Sequence, residues 1–567
     1  MKVFIAAVIL LIVMFLAGCG GGANSIVPPA QLSFTSIPST AAGEGQPYTY
    51  TMTVSESGSA VTFHLLSAPT GATLSGDTVT WTPTTEQART LNAFSVSATA
   101  GSAVANQNWS LTPVGTIQGT RIVSYITDAG TTQLPDDTTQ MAIAAFAPNG
   151  KSGFTTIEGT GSPDGTFSIR GVPGGYYWLQ SGAQNYVWTN RSAIDTGHDT
   201  LGTPSRTYPT METELDLNLT GLNPWQSGDE QQLYVPNINA WLAYGWELQD
   251  GATSLFQQVP WTDPLLDASK GDTIYVTQLV TTPTAAGLAL DVLGAAAPPI
   301  NNITQPDGTE VELDTALDNI EAEASFRGNI AGAAFAQLES GVNPSAVPDS
   351  SYLYFDVQPG GTDHGWIGTT PDLVAFDGTD EPIRTNIDMG DIKYANPFPE
   401  SWAPFLDYVH YVRIDYTAPG ATNSITQYAY LELQTTDLPN VNTPLAPAIG
   451  PIGSPTINGN SLFSRASSVG TMPTLSWTQP ALGSPTGYEI EVFHLYSDST
   501  DSFTELAGDM FTATTSVQIP PGVLTSGNSY YFRISAVFEP GIDYTTAPFR
   551  HGFPRAVAQS LSGVVTP

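Results

Sequence analysis

The side chains with chemical potential in this chain of 567 residues are few: one cysteine, six histidines, and 52 carboxylates set against only 16 Lys and Arg. The histidines stand at positions 64, 198, 364, 410, 494 and 551. No His-Glu-x-x-His pairs any of them, so there is no local zinc signature. No Gly-x-Ser-x-Gly elbow occurs, which leaves a serine hydrolase of that kind unsupported. Asn149-Gly150-Lys151-Ser152 has the tail of a phosphate loop, but Ala145 stands where its first glycine belongs, and the stretch reads as a β-turn. Glycoside hydrolysis needs two carboxyls flanking one bond, and distant strands can supply them. Asp356, Asp363, Asp372 and Asp377 lie close together in a loop-rich stretch and form the candidate acidic site. Calcium requires roughly six to eight oxygens. Asp136-Asp137 and Asp498-Ser499-Thr500-Asp501 are the candidates for it, without EF-hand spacing, and no other metal or cofactor is expected.

Aromatic side chains offer a second chemistry, the stacking of sugar rings. Candidate ligand-binding aromatics are Tyr176, Trp178, Trp188, Trp241, Trp246, Trp366 and Trp402. Strand alternation sends Tyr176 and Trp178 to one face and Tyr177 to the other, so part of this set belongs to a core.

The lone cysteine has a distinctive setting. Lys2 precedes an apolar run over residues 3–17, then Gly18, Cys19 and three glycines. That run is shorter than the roughly 20 residues of a membrane span and reads as an export signal. Leu16-Ala17-Gly18-Cys19 resembles the lipobox of bacterial lipoproteins. The resemblance implies a signal peptide over residues 1–19, cut before Cys19, and acyl chains such as palmitate on that cysteine. The expected address is exported and lipid-anchored to the bacterial cell envelope, at the outer membrane or cell surface. With one cysteine, no intrachain disulfide forms, and stability must come from packing.

The net charge of -36 arises from scarcity of bases rather than crowding of acids. Such a field repels phosphate backbones and excludes nucleic acid as a partner. Abundant Gly (54) and Pro (44) point to many turns and short strands, and 41% hydrophobic residues suffice to build cores. At about 100–150 residues per domain, the length suggests about four domains.

Residues 20–30 read as a Gly/Pro tether. Over 31–113, Tyr48–Val54, Val61–Leu65 and Phe94–Ala98 alternate with period two. Gly43-Glu44-Gly45-Gln46-Pro47-Tyr48, Ala68-Pro69-Thr70-Gly71 and Val79-Thr80-Trp81-Thr82-Pro83 resemble the Ig-like, cadherin-like repeat of bacterial surface proteins. Over 115–220, Asp164-Gly165-Thr166-Phe167-Ser168-Ile169 followed by Val172-Pro173-Gly174-Gly175-Tyr176 resembles the carboxypeptidase regulatory-like, prealbumin-like domain. In that family the domain carries no active site. Residues 221–440 form a β-rich region of one or two domains, with a short helix expected near 330–339 from its alanines. Residues 441–455 read as a Pro-rich linker. Over 456–567, Leu475-Ser476-Trp477-Thr478, Tyr488–Val492 and Tyr530–Val537 resemble three strands of a fibronectin type III domain. Leu524 lies six residues before Tyr530, the spacing of that family's tyrosine corner.

The expectation is an all-β, multidomain string of β-sandwiches acting as a non-enzymatic binding, adhesion or spacer protein on the cell surface. Its partners would be the membrane, through the lipid, and a protein or glycan. Two alternatives stay open: a carbohydrate-active or other hydrolytic enzyme with its site in 221–440, and a purely structural envelope component.

Overall fold

The computed structural model describes residues 31–55, 58–150, 153–245, 247–376, 378 and 381–567. Cys19, Trp246 and Asp377 therefore lie outside the described residues. The chain is all-β and built from packed sandwiches, divided into two compact units at residue 113.

Residues 31–113 form two three-stranded antiparallel sheets, Tyr48–Thr51 with Thr78–Trp81 and Thr73–Ser75, and Val61–Ser67 with Asn92–Ala100 and Ala103–Leu111. Alternation puts Tyr48, Tyr50, Val79 and Trp81 inward from one sheet and Phe94 and Val96 from the other. Phe94 lies flat on Trp109, with centroids 4.9 Å apart, and meets Trp81 edge-on at 5.4 Å. These rings pack together in the core of this small sandwich.

In residues 114–567, nineteen of the described strands join in one hydrogen-bonded network, from Ile143–Pro148 to Val565–Thr566. The segments read as separate domains share it. Asn185–Thr189 pairs in parallel with Ser502–Thr512, and Arg555–Leu561 pairs with both Ile425–Thr435 and Ser529–Phe538. The stretch 441–455 is packed as well, with Leu445, Ile449 and Ile452 all buried in the main core.

At the centre run three long antiparallel strands, Val347–Gln358, Ala403–Tyr416 and Ile425–Thr435. One face carries Leu353, Phe355, Leu406, Tyr408 and Leu431, all buried. Against it pack Phe326 of Ala324–Ala331 and Phe335 of the helical turn Gly332–Ala336, with ring contacts of 5.0 Å to Phe355 and 4.7 Å to Tyr408. The expected helix is thus present in part. Ala324–Ala331 is strand, and the helical residues are Gly332–Ala336 and Glu339–Val342. The opposite face of the same strands carries Tyr352, Tyr354, Asp356, Asp407, Tyr411 and Glu432, and this is the polar face.

Local turn chemistry explains several entries into strands. Asp164 Oδ1 accepts from Thr166 N (3.0 Å) and Thr166 Oγ1 (2.7 Å), while Gly165 takes φ +77° with a Cβ position only 2.6 Å from Arg121 O. Only glycine fits there. In the C-terminal segment Trp477 is 5% exposed and meets Tyr488 edge-on at 5.2 Å, and the Tyr530 hydroxyl accepts from Thr525 N at 2.9 Å.

Candidate functional site

The polar face of the central strands closes into a cleft of about 360 Å³. Among the described residues six carboxyls line it (Glu230, Asp291, Asp356, Asp372, Asp407 and Glu432), with the rings of Trp241, Trp366, Tyr354 and Tyr411, and no Lys, Arg or His. Register brings them together. Asp356 sits opposite Asp372 of Asp372–Phe376, Tyr354 opposite Asp407, and Val409 opposite Glu432. Ala375 faces Asp291 across the next ladder.

Two loops frame the opening. Gln358 donates to the carbonyls of Gly361 (2.9 Å) and Gly365, and His364 Nδ1 lies 3.0 Å from Asp199 Oδ2. Gly365 takes φ +65°, and a Cβ there would sit 2.7 Å from Gly552 N, so the turn that lifts Trp366 requires glycine. Trp366 emerges 45% exposed. Asn239, itself left-handed at φ +52°, accepts from Thr369 N (2.9 Å) and Thr369 Oγ1 (2.9 Å). That clamp fixes the Trp366 loop against the strand Ala240–Tyr244, which carries Trp241.

The carboxyls are unevenly satisfied. Asp356 Oδ2 accepts from Thr370 Oγ1 (2.7 Å), Asp372 Oδ2 from Gln232 Nε2, and Glu432 from Arg555 Nη1 and Gln434 Nε2 at 3.1 Å each. Asp356 Oδ1 and Asp407 Oδ1 are buried and receive no hydrogen bond, though their residues are only 8% and 9% exposed. The Trp241 indole N–H is buried without an acceptor too. Burial pushes the Asp356 carboxyl well above the ordinary range, and the facing Asp372 adds to the shift. Burial also raises Asp407, with repulsion from Glu432 second; the Gln434 amide and Arg555 pull it back only in part. Both shifts follow from low dielectric and like charge. They favour the protonated carboxyl, a form that gives as well as accepts hydrogen bonds. Among the described residues no three His, Cys, Asp or Glu converge to hold a metal ion.

The structure brings Asp356, Asp372, Trp241 and Trp366 together in this cleft. Asp356, on an expected strand, and Asp372, expected in the loop-rich stretch, both lie in strands and are buried, while Asp363 is exposed in the Trp366 loop outside the lining. Trp178 and Trp402 offer no face to a ligand. Trp178 is fully buried and donates to Gln518 O at 2.8 Å, and Trp402, 2% exposed, stacks on Phe398 at 5.1 Å. Tyr176, 40% exposed, stacks on the half-buried Trp188 at 5.6 Å, remote in sequence and not part of the cleft lining. The carboxylates considered for calcium are engaged with protein donors. Asp136 pairs with Arg121 at 2.6 Å, Asp137 accepts from Thr139, Asp498 caps its own turn, and Asp501 accepts from Asn423. Sequence reading missed Asp407, Glu432, Tyr354 and Tyr411. The available signal was an acid inside the apolar run Phe405-Leu406-Asp407-Tyr408-Val409, which no exposed strand face explains.

Two hollows away from this cleft are larger but less apt. One of about 720 Å³ is lined mainly by Gly, Ser, Thr and Ala, and its single carboxylate, Asp195, is paired with Arg550 at 3.1 Å. Another of about 540 Å³ mixes Glu489, Glu491 and Asp509 with Arg533 and Arg555, and Glu491 is held there by a two-bond Arg533 fork.

No family model and no curated protein matches the sequence. Among solved structures, immunoglobulin domains 1–5 of Sidekick-1 align at 7% identity, covering 94% of this chain and 98% of that one, with a TM-score of 0.15. Domains 4–9 of the surface layer protein SbsC align at 9% identity, covering 94% and 81%, with a TM-score of 0.12. The native conformation of Escherichia coli alpha-2-macroglobulin aligns at 10% identity over 94% of this chain but 36% of that one, with a TM-score of 0.12. Overlaps this shallow carry no argument, and the functional reading rests on the cleft alone.

Proposed function

We propose that the protein is an exported, lipid-anchored bacterial surface protein that binds a glycan in the cleft between Trp241, Trp366 and the Asp356–Asp407 carboxyls. The observation that carries this reading is the pair of buried, undonated carboxyl oxygens, Asp356 Oδ1 and Asp407 Oδ1, enclosed by aromatic rings with no cation in the lining. A buried acceptor without a donor is costly. Sugar hydroxyls are donors and acceptors at once, and their C–H faces stack on indole and phenol rings, so a neutral glycan satisfies both halves of the lining. An anionic one would meet six carboxyls. The Leu16-Ala17-Gly18-Cys19 sequence supports the anchor, since a doubly or triply acylated cysteine holds a protein firmly to a bilayer.

Isothermal titration of the full-length chain against neutral and uronate oligosaccharides tests the site. Asp407→Ala and Trp241→Ala should each weaken neutral-glycan binding by about tenfold, the worth of a buried hydrogen bond or a desolvated ring. Unchanged affinity in both variants removes the cleft from the reading. Cys19→Ser should shift the protein from the membrane to the soluble fraction. A second reading, glycoside hydrolysis, is favoured by one observation: Asp356 faces Asp372 across the ladder, and its burial raises its carboxyl, the direction a general acid needs. Turnover of any bound glycan that disappears in Asp356→Asn would establish it in place of simple binding.

A further inference from the structure

The cleft does not end at Tyr411. Tyr352 and Tyr354 occupy alternate positions of Val347–Gln358, Tyr411 sits on the neighbouring strand, and Tyr428 on the one beyond. All four lie on the polar face. Tyr352 stacks nearly parallel to Tyr354 (6.2 Å, 13°) and meets Tyr411 edge-on (5.6 Å, 89°), and Tyr411 meets Tyr428 edge-on (6.2 Å, 90°). A shallow hollow of about 380 Å³ follows these rings and shares Tyr354, Val409 and Tyr411 with the cleft. The two depressions are thus one continuous furrow. From the Asp372–Phe376 strand to Ile425–Thr435 it crosses three strand spacings, about 15 Å at roughly 4.8 Å each.

We infer that the tyrosine strip is a second subsite and that the ligand is a neutral polysaccharide chain lying along the furrow, not a free sugar. The inference rests on the glycan reading of the cleft and extends it. Three features select this occupant. Ring faces and edges continue without a break from the carboxyl end, as a chain of sugar rings requires. At the far end Asp349 and Arg413 pair at 3.3 Å, so the strip carries no net charge to draw a charged polymer. Tyr428 is 45% exposed, so its ring is open to a ligand at the end of the strip. Cross-strand aromatic pairs do stabilise sheets, by about 0.2–1 kcal/mol each. That structural role predicts a loss of stability on truncation and leaves ligand length irrelevant.

The test uses the full-length chain and cello-, xylo-, malto- and N-acetylchito-oligosaccharides of one to six residues, with hexagalacturonate as the anionic control. In at least one neutral series affinity should rise about tenfold or more between the disaccharide and the hexamer. Tyr428→Ala, at an exposed position that folding tolerates, should abolish most of that rise while leaving disaccharide affinity unchanged, and Tyr428→Phe should restore it. A hexamer that binds no better than the disaccharide overturns the second subsite while leaving the cleft reading intact. So does length dependence that survives both Tyr428→Ala and Tyr352→Ala. Hexagalacturonate binding as tightly as the neutral hexamer overturns the neutral class. Absence of binding in every series overturns the cleft reading and the inference together.

Discussion

At the residue scale the polar face is under electrostatic strain. Asp509 lies beyond the cleft on the same sheet, opposite Glu491 and beside Glu489. Burial first, then the charges of Glu489 and Glu491, push its carboxyl up to about 9, and burial lifts Glu489 to about 6. An unfolded Asp titrates near about 4. Between those values the folded chain keeps a proton that the unfolded chain releases, so this group's contribution is fully present below about pH 4. It is lost as pH rises toward 9, at up to about 1.4 kcal/mol per pH unit. Wild-type protein should therefore melt at lower temperature at pH 8 than at pH 5. Asp509→Asn should flatten that dependence and raise the melting temperature at pH 8. A melting temperature that climbs from pH 5 to pH 8, or a variant with the wild-type slope, refutes the assignment.

At the element scale the decisive strand is Arg555–Leu561. Its Ala558 pairs with Ala536 on one side and Leu431 on the other, and Arg555 reaches across to Glu432 at 3.1 Å. A C-terminal segment expressed from residue 456 loses the Ile425–Thr435 ladder and leaves the mostly buried Arg555 without that partner, a change that typically costs about 3–5 kcal/mol. The isolated segment should melt well below the same strands in a 114–567 fragment when both are followed by circular dichroism; equal melting temperatures would mean that it folds independently. This sharing was not legible in the sequence, although the strands were. Val347–Gln358 and Ile425–Thr435 announce themselves by alternation, as in Tyr352-Leu353-Tyr354-Phe355, because one face meets the core and the other does not. Asp372–Phe376 is buried on both faces and shows no period, so Asp372 read as a loop acid. Which strands pair is decided by side chains up to hundreds of residues apart, and local pattern does not encode it. The furrow was legible only in pieces: Trp241, Trp366, Asp356 and Asp372 by residue type, Asp407 and Glu432 not at all.

At the scale of the whole molecule, the strand ladders divide the chain more coarsely than its motifs do, into two compact units. Tyr48, Tyr50, Trp81 and Phe94 pack among residues of 31–113, whereas residues 114–567 hold several apolar clusters, the largest running from Ala144 to Val565 and separate ones over 215–317 and 117–194, tied together by the nineteen-stranded hydrogen-bonded network. Cooperativity follows shared cores, because a domain unfolds as a unit when no part can lose its packing alone. Calorimetry of the Cys19→Ser chain should accordingly resolve two transitions, the smaller belonging to 31–113. Trp81 is 2% exposed, and truncating a buried Trp costs about 3–5 kcal/mol, a large share of what a domain of that size has in reserve. Trp81→Ala should therefore shift or erase the smaller transition and leave the larger in place, with glycan binding at the furrow retained. If both transitions move together, the chain unfolds as a single cooperative body and the division at residue 113 carries no thermodynamic meaning.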